Sequence, residues 1–386
     1  MKIDGMREIF RKNTMVVVLF LVVAVFAVGT GGRMLLPANI NNVIAQNAYV
    51  FVLATGMLLC ILTGGNIDLS TGSVVCLAGA IGGKMMVSAG LPVWLAIIAM
   101  LVTGLLIGAW QGFWIAYMKI PSFIVTLAGM LIFRGLGNVI LSGMTLAPMP
   151  DKYLSLFNSY IPDFFHLDGF NLTCMLCGFL AAALLTFLSL RDRKKRREAG
   201  MDNRPTALVA ARITVIDLAI LYFAYNLALY KGIPVVLIWV AVVIIVYNYI
   251  TSRTVAGRHF YAVGGNEKAA ALSGIDTKKT IFTAYLNMAF LSALAAMITI
   301  ARLNSATPNA GTNYEMDAIA ACFIGGASAY GGKGTVGGVI VGAILMGVIN
   351  LGMNIMGVDA NYQRVVKGLV LLAAVFFDIA SKKKKA

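Results

Sequence analysis

Apolar runs of about twenty residues recur along the whole of this 386-residue chain, and they restrict its fold more than any other feature. A helix needs about 20 mostly apolar residues to cross the hydrocarbon core of a bilayer, which is ~30 Å thick. Strands of a membrane barrel are shorter and alternate in polarity, so runs of this length indicate helices. Only 12% of the residues are charged, against about 25% in soluble domains. The sequence therefore predicts an all-α, polytopic membrane protein.

The apolar runs predict ten to twelve transmembrane helices within a single transmembrane domain, residues 1–386. Glycine pairs interrupt the chain at 63–73 and at 325–338, which predicts two broken or half helices, and broken helices at matched positions often mark a transport path. Twelve spans can be placed, at residues 14–31, 44–63, 66–88, 93–117, 122–142, 171–190, 206–230, 233–251, 280–301, 315–330, 335–356 and 362–381.

The basic residues indicate an orientation. The net charge is +15, but the positive charge lies in short blocks between apolar runs, which argues against nucleic-acid binding. Positively charged loops translocate poorly, so such blocks mark the cytoplasmic side. A cytoplasmic N-terminus would place most of the 31 Lys and Arg residues in cytoplasmic segments, and an even number of spans would return the C-terminal lysines there. The sequence predicts that both termini are cytoplasmic.

Several motifs that suggest enzymes or metal sites are better explained by the membrane fold. Cys174 and Cys177 form a C-x-x-C, but no second pair exists and both lie in an apolar run. The two histidines, His166 and His259, fall on opposite predicted faces, so no histidine-based metal site or triad can form. Residues 332–337 fit G-x-G-x-x-G but follow no soluble strand. We therefore expect no catalytic residue, metal site or cofactor. The first apolar run also lacks an A-x-A-like cleavage site, so no cleavable signal peptide is predicted.

The inner loop 252–279 contains too much structure for a simple linker. Asn266 is suited to cap a short helix, with Glu267 in its first turn, and Gly274 is suited to end it in a left-handed conformation. The small alanines between them would let this two-turn helix seat closely on another protein. The alternative is an amphipathic helix on lipid headgroups, which the scarcity of large apolar residues disfavours.

Residues 264–275 resemble the coupling loop of bacterial ABC importer permeases of the ribose, xylose and galactose class. Residues 64–73 resemble a Gly-Gly-Ile-Asp-Leu-Ser element of that class, with Asn66 inserted. The stretches 301–306, 315–321 and 325–335 are also similar to it. The resemblance implies a permease in the bacterial inner membrane that works with a cytoplasmic ATPase, an extracytoplasmic sugar-binding protein and a second permease subunit, as a homodimer.

The resemblance weakens between residues 143 and 232. Most permeases of this class have ten spans, whereas this chain inserts a helical pair at 171–190 and 206–230. That layout is similar to the xylose and multiple-monosaccharide permeases. The outer loop 143–170 carries Asp151, Asp163 and Asp168 among aromatics and is predicted to form a partly folded cap.

Two sets of candidate functional residues follow from these motifs. The resemblance implies that seven residues couple the permease to the ATPase: Gly264, Gly265, Asn266, Glu267, Ala270, Ser273 and Gly274. The broken elements supply candidates for the pathway or a hinge: Asn66, Asp68, Ser70, Asn304, Gly325 and Gly326. A carboxylate at membrane depth costs several kcal/mol unless it faces protein or water. Asp68 therefore lines a polar pathway or, with Ser70 and Thr71, caps the following helix. Glu315 and Asp317 open a helix, where interaction with its dipole suffices to explain them.

The glycine spacing predicts close helix packing. Gly104, Gly108 and Gly112 form successive G-x-x-x-G steps, which let helix backbones approach closely in lipid. The elements at 64–80 and 325–343 share a glycine pair followed by a small-residue helix, and they form a weak internal repeat.

The sequence thus predicts a non-catalytic permease of an ATP-driven monosaccharide importer. Related permeases for nucleosides, riboflavin or furanones remain an alternative for the cargo. An ATP-independent secondary transporter or channel remains an alternative mechanism, although the structured inner loop would then have no purpose.

Overall fold

A computed structural model describes residues 14–165, 169–200 and 206–383. This part contains fifteen α-helices and two isolated β-bridges. The N-terminal basic block, His166, Asp168, Arg204 and the last two lysines lie outside the described residues. The helices are α1 (Thr14–Gly29), α2 (Pro37–Leu62), α3 (Thr71–Gly83), α4 (Val93–Gly112), α5 (Ser122–Leu141), α6 (Asp151–Phe157), α7 (Leu172–Glu198), α8 (Thr206–Ala228), α9 (Val235–Arg253), α10 (Val255–Gly265), α11 (Glu267–Leu272), α12 (Thr277–Leu303), α13 (Tyr314–Ile324), α14 (Val336–Ile355) and α15 (Ala360–Lys383).

Nine helices in the described part are long and apolar enough to cross a membrane. They are α2, α3 with its π-helical extension to Ser88, α4 with its extension to Tyr117, α5, α7, α8, α9, α12 and α14. The remaining three predicted spans correspond to α1, whose apolar part is Val17–Gly29, to the half helix α13, and to α15, which carries Arg364 and Lys367. The all-α, polytopic fold with broken helices is confirmed.

The core is built around α2 and α12, whose most apolar stretches are 83% and 72% buried. Helix α4 packs on α12 through its glycines. A Cβ on Gly104 would lie 2.7 Å from the Ala289 carbonyl oxygen, and one on Gly108 would lie 2.8 Å from the Leu286 Cα. Such approaches leave no space for a side chain, so the predicted glycine-mediated helix packing is confirmed.

The described part of the loop after α5 folds into a cap, as predicted. It contains the short helix α6, and its Leu146 forms an antiparallel bridge with Ala306. The hydroxyl of the fully buried Tyr153 donates to the Met297 carbonyl oxygen of α12 at 2.9 Å. The cap is therefore anchored to the central helix.

Helices α7 and α8 occupy the positions of the predicted inserted pair and form an antiparallel hairpin. Gly178 lies against Ala224, and the Thr186 hydroxyl donates to an Asp217 carboxylate oxygen at 2.6 Å. Only 17% and 12% of their apolar stretches are buried. The hairpin is therefore peripheral to the core.

Candidate functional site

The segment between α9 and α12 contains the short helix that the sequence predicted. The Asn266 side chain accepts from the Ala269 amide at 3.0 Å and caps α11. Ala270 is buried, the Ser273 hydroxyl donates to the Ala269 carbonyl oxygen at 2.9 Å, and Gly274 has a φ of 82°. An additional helix, α10, precedes α11 and was not predicted. We call residues 266–274 the coupling helix segment.

Glu267 ties the coupling helix segment to two membrane helices. Its carboxylate lies 2.7 Å from the Lys119 ammonium group, in the loop after α4. It also accepts from the Thr277 hydroxyl, in the first turn of α12, at 3.2 Å. The hydrogen bond from Lys119 lowers the pKa of Glu267, so this carboxylate is ionised at neutral pH. The sequence reasoning did not identify Lys119 as a partner, because nothing in the spacing places the two loops together.

Leu272, at the end of α11, points away from the rest of the chain. It is 91% exposed, whereas Ala270 on the same helix is buried. A single exposed leucine is common on a protein surface, and here it marks the side of the short helix that faces away from the bundle. The coupling helix segment therefore has an inward side held by Glu267 and an outward side formed by Leu272.

Three glycine pairs meet beside this segment, at residues 64–65, 264–265 and 331–332. The Gly332 amide donates to the Leu62 carbonyl oxygen at 3.1 Å. A Cβ on Gly264 would lie 2.6 Å from that amide nitrogen, and one on Gly331 would lie 2.6 Å from the Gly64 nitrogen. Only residues without side chains permit such contact. We call this cluster the glycine junction, and it joins the end of α10 to both broken elements.

A cavity of about 420 Å³ opens next to the glycine junction. Asn66, one of the pathway candidates, lines it together with Lys119, Asn266 and Glu267. The Asn66 side chain donates to the Thr63 backbone and hydroxyl oxygens at 3.2 Å each. The cavity therefore combines residues from both predicted sets.

Asp68 and Ser70 belong to a fully buried polar chain. One Asp68 oxygen accepts from the Ser70 amide at 2.8 Å and from the Ser70 hydroxyl at 2.7 Å. The Gln111 side chain of α4 donates to the Ser70 hydroxyl at 2.6 Å. The Ser70 side chain makes no hydrogen bond that caps α3, so that part of the capping interpretation is wrong, whereas the Asp68 carboxylate accepts from the amide directly before the helix. This carboxylate fixes the turn that precedes α3 and, through Ser70, connects it to α4.

Asp317 forms a buried ion pair. Its carboxylate lies 2.9 Å from the Lys367 ammonium group of α15 and is 1% exposed. Tyr49 of α2 donates to it at 2.5 Å, and the Asn350 side chain of α14 lies 3.5 Å away. One carboxylate at the start of α13 thus binds side chains from three other helices. Its role extends beyond the interaction with the helix dipole that the sequence predicted.

Helices α3 and α13 meet inside the bundle. Gly72, in the first turn of α3, packs against Glu315, in the first turn of α13, where a Cβ would lie 2.5 Å from the carboxylate. Arg134 of α5 donates to the carbonyl oxygens of Pro308 at 3.0 Å and Ala310 at 2.6 Å, which holds the unwound segment before α13. Unwound backbone inside a membrane protein needs such partners, because lipid supplies none.

Comparison with known proteins assigns the chain to a family. Residues 39–375 match the family described as "Branched-chain amino acid transport system / permease component". The chain belongs to this permease family. The xylose transport system permease protein XylH of Escherichia coli (strain K12) is 36% identical over 370 residues, covering 96% of this chain and 92% of that protein. XylH of Haemophilus influenzae is also 36% identical over 370 residues, covering 96% of both chains. The ribose import permease protein RbsC of H. influenzae is 33% identical over 340 residues, covering 88% of this chain and 84% of that protein. No solved structure matches the chain.

Family membership defines the kind of protein. The chain is a non-catalytic membrane permease component of an ABC transporter and an integral protein of the inner membrane. A permease of this kind works with a separate ATPase subunit and a substrate-binding protein. In the described part of the chain, no group of three or more His, Cys, Asp or Glu side chains is placed to hold a metal ion.

The permease does not bring all predicted pathway residues together. Asn304 ends α12 in a left-handed conformation and accepts from the Met149 amide at 2.9 Å, so it holds the cap that follows α5. Gly325 packs on Gly338, where a Cβ would lie 2.5 Å from the carbonyl oxygen, and Gly326 turns the chain with a φ of 86°. Asn304 thus belongs to the cap, whereas the two glycines end α13.

Proposed function

We propose that this permease is the membrane subunit of an ATP-driven importer for monosaccharides. The observation that carries the proposal is the glycine junction, because it connects the coupling helix segment directly to both broken elements. The cargo follows from the relatives named for xylose and ribose, of which this chain covers 84–96%. The family description names branched-chain amino acids, so amino acids are the first cargo to test against sugars.

The coupling mechanism follows from the contacts of the coupling helix segment. Closure of the ATPase on ATP would displace this segment, with Leu272 as its apolar anchor. Glu267 would pass the movement to α4 through Lys119 and to α12 through Thr277. A ligand shifts such an equilibrium only if it makes different contacts in the two states. The seven coupling residues supply those contacts on the permease side.

The remaining assignments complete the proposed transporter. Both termini are cytoplasmic, which places the glycine junction and the coupling helix segment on the ATPase side. The outer loops 143–170 and 303–314 receive the sugar-binding protein. A second copy of the permease completes the pathway, in which Asn66, Asp68, Ser70, Gly325 and Gly326 line or hinge the broken elements.

An ATP-independent transporter is the competing mechanism. Buried carboxylates such as Asp68 and Asp317 would then bind a coupling ion. Asp317 already binds Lys367, which leaves its charge compensated within the chain. This contact favours the ATP-driven mechanism.

Uptake into proteoliposomes tests the proposal. The permease would be reconstituted with its ATPase and binding protein, and uptake of radiolabelled D-xylose, D-ribose and L-leucine would be measured with and without internal ATP. We expect ATP-dependent uptake of a pentose and no uptake of leucine. ATP-dependent leucine uptake would overturn the cargo assignment. Pentose uptake driven by an ion gradient without the ATPase would overturn the mechanism.

A further inference from the structure

The helix α7 continues without a break from its membrane-spanning part into a strongly basic end. Its last turns carry Arg191, Arg193, Lys194, Lys195, Arg196 and Arg197, with only Asp192 and Glu198 as acidic residues. Because the segment is helical, each of these cations has a defined direction around the helix axis. Cations that share one side of the helix can form a binding surface together, in addition to orienting the chain in the membrane.

One side of α7 faces its hairpin partner α8. Gly178 and Ala182 are buried, and Thr186 binds Asp217 of α8. Arg193 continues this side and donates to the Thr206 hydroxyl at 3.1 Å. Spacings of four, four and seven residues keep the four positions on one face of a helix with 3.6 residues per turn. This face is the partner face of α7.

The opposite side of α7 carries exposed apolar residues that lead directly into cations. Leu180, Leu184 and Phe187 are 70%, 57% and 60% exposed. Arg191 and Lys194 follow them at spacings of four and three residues and are also exposed, so they continue the same face. Lys194 lies about 10 Å beyond Phe187 along the axis at 1.5 Å per residue. We call this side, including Lys195, the outer face of α7.

The chemistry of the outer face fits one occupant. Little of α7 is buried in the protein. The apolar part of its outer face is therefore free to contact the hydrocarbon tails of lipids. Its cations begin where the apolar part ends, after residues 172–190, a stretch about long enough to cross the hydrocarbon core. Basic residues immediately beyond a spanning helix attract anionic lipids, and long cationic side chains extend to the interface. We propose that Arg191, Lys194 and Lys195 form a binding surface for anionic phospholipid headgroups.

The proposal is tested with two charge-matched variants of the full chain in phosphatidylcholine vesicles. Arg191→Gln/Lys194→Gln removes two cations from the outer face, and Arg193→Gln/Arg196→Gln removes two from other faces. Electron paramagnetic resonance measures the immobilised fraction of trace spin-labelled phosphatidylglycerol and, separately, of spin-labelled phosphatidylcholine. Size-exclusion chromatography in detergent selects folded protein of each variant before reconstitution.

We expect the wild type to immobilise phosphatidylglycerol in preference to phosphatidylcholine, and high salt to reduce this preference. The outer-face variant should lower the ratio of the two association constants by at least about threefold, whereas the other variant should change it little. Equal ratios in both variants would overturn the proposal, as would a wild type without preference. Loss of binding to the ATPase in the outer-face variant, with an unchanged lipid ratio, would assign the surface to an acidic protein partner instead.

Discussion

The Glu267 carboxylate and the Lys119 ammonium group lie 2.7 Å apart, although 148 residues separate them in the chain. Both side chains are about half exposed, so the pair adds only about 0.2–1 kcal/mol to stability. Its importance lies in connecting the coupling helix segment to α4.

Reversing one charge of this pair should uncouple transport. We expect Lys119→Glu to fold normally but to reduce ATP-driven uptake by about 2- to 30-fold, because an attraction of about 0.2–1 kcal/mol is replaced by a repulsion of similar size. The reciprocal variant Lys119→Glu/Glu267→Lys should recover much of the uptake. Uptake in proteoliposomes and the ATPase rate are the measurements. Wild-type uptake by Lys119→Glu would show that the pair transmits nothing.

The same pair predicts a pH dependence. Because Lys119 lowers the pKa of Glu267, the stabilisation is present above the pKa of the unfolded chain and is lost as the pH falls through the lowered value. Coupling that depends on this pair should therefore be constant between about pH 6 and pH 8. The ATP-driven uptake of wild type and of Glu267→Gln, compared over this range, checks the expectation. A wild-type profile that changes within the range, while that of Glu267→Gln does not, would contradict it.

Gly264 and Gly265 should respond differently to the same substitution. A methyl group at Gly264 would run into the Leu62 carbonyl oxygen and the Gly332 amide, whereas one at Gly265 meets nothing within 4 Å. We expect Gly264→Ala to cost about 1–3 kcal/mol through overpacking and to reduce uptake. Gly265→Ala is the matched control and should be tolerated. The midpoints of thermal unfolding of the two purified variants are the measurement. Equal midpoints would mean that the backbones at the glycine junction do not pack as closely as described.

Removing one partner of the buried ion pair should destabilise the bundle. Lys367→Met leaves the Asp317 carboxylate buried without its cation, and we expect a loss of about 3–5 kcal/mol. The double variant Asp317→Leu/Lys367→Met should recover part of this loss, because neither charge remains. Thermal unfolding in detergent is the measurement, and Asp359→Asn, at an exposed aspartate, serves as the control. A midpoint for Lys367→Met equal to that of the control would argue against a buried pair.

Leu272 should anchor the ATPase. Burying a leucine side chain contributes about 1.5–3 kcal/mol, so Leu272→Ser should weaken ATPase binding by roughly 10- to 150-fold. Leu36→Ser changes another exposed leucine, at the far end of α2 from the glycine junction, and should leave the affinity unchanged. Surface plasmon resonance between the purified permease and the ATPase distinguishes the two. Equal affinities would remove Leu272 from the docking surface.

Local sequence signals predicted those features that depend on neighbouring residues. Hydropathy located the membrane helices, and the capping pattern located α11 with Asn266 as its cap. The spacing of Gly104 and Gly108 predicted the close packing that α4 makes with α12.

The contacts that build the site escaped sequence reasoning because they join distant segments. Gln111 and Arg134 are single polar residues in apolar runs, and Lys367 lies in a predicted span together with Arg364. Such positions mark polar residues as functional or structural but do not name their partners. Local spacing left Asp68 as either a pathway residue or a helix cap. Its contacts with Ser70, and through Ser70 with Gln111, became visible only in three dimensions.

The glycine junction also bears on how a displacement of the coupling helix segment would be transmitted through the permease. Contacts between side chains can absorb part of a displacement, because rotamers can change before the backbone moves. At residues 64–65, 264–265 and 331–332 the main chains touch directly, so no change of side-chain rotamer can absorb a displacement there. A displacement of the coupling helix segment would therefore reach both broken elements at nearly full amplitude and at the same moment. The two halves of the pathway would open or close as a single gate rather than in sequence.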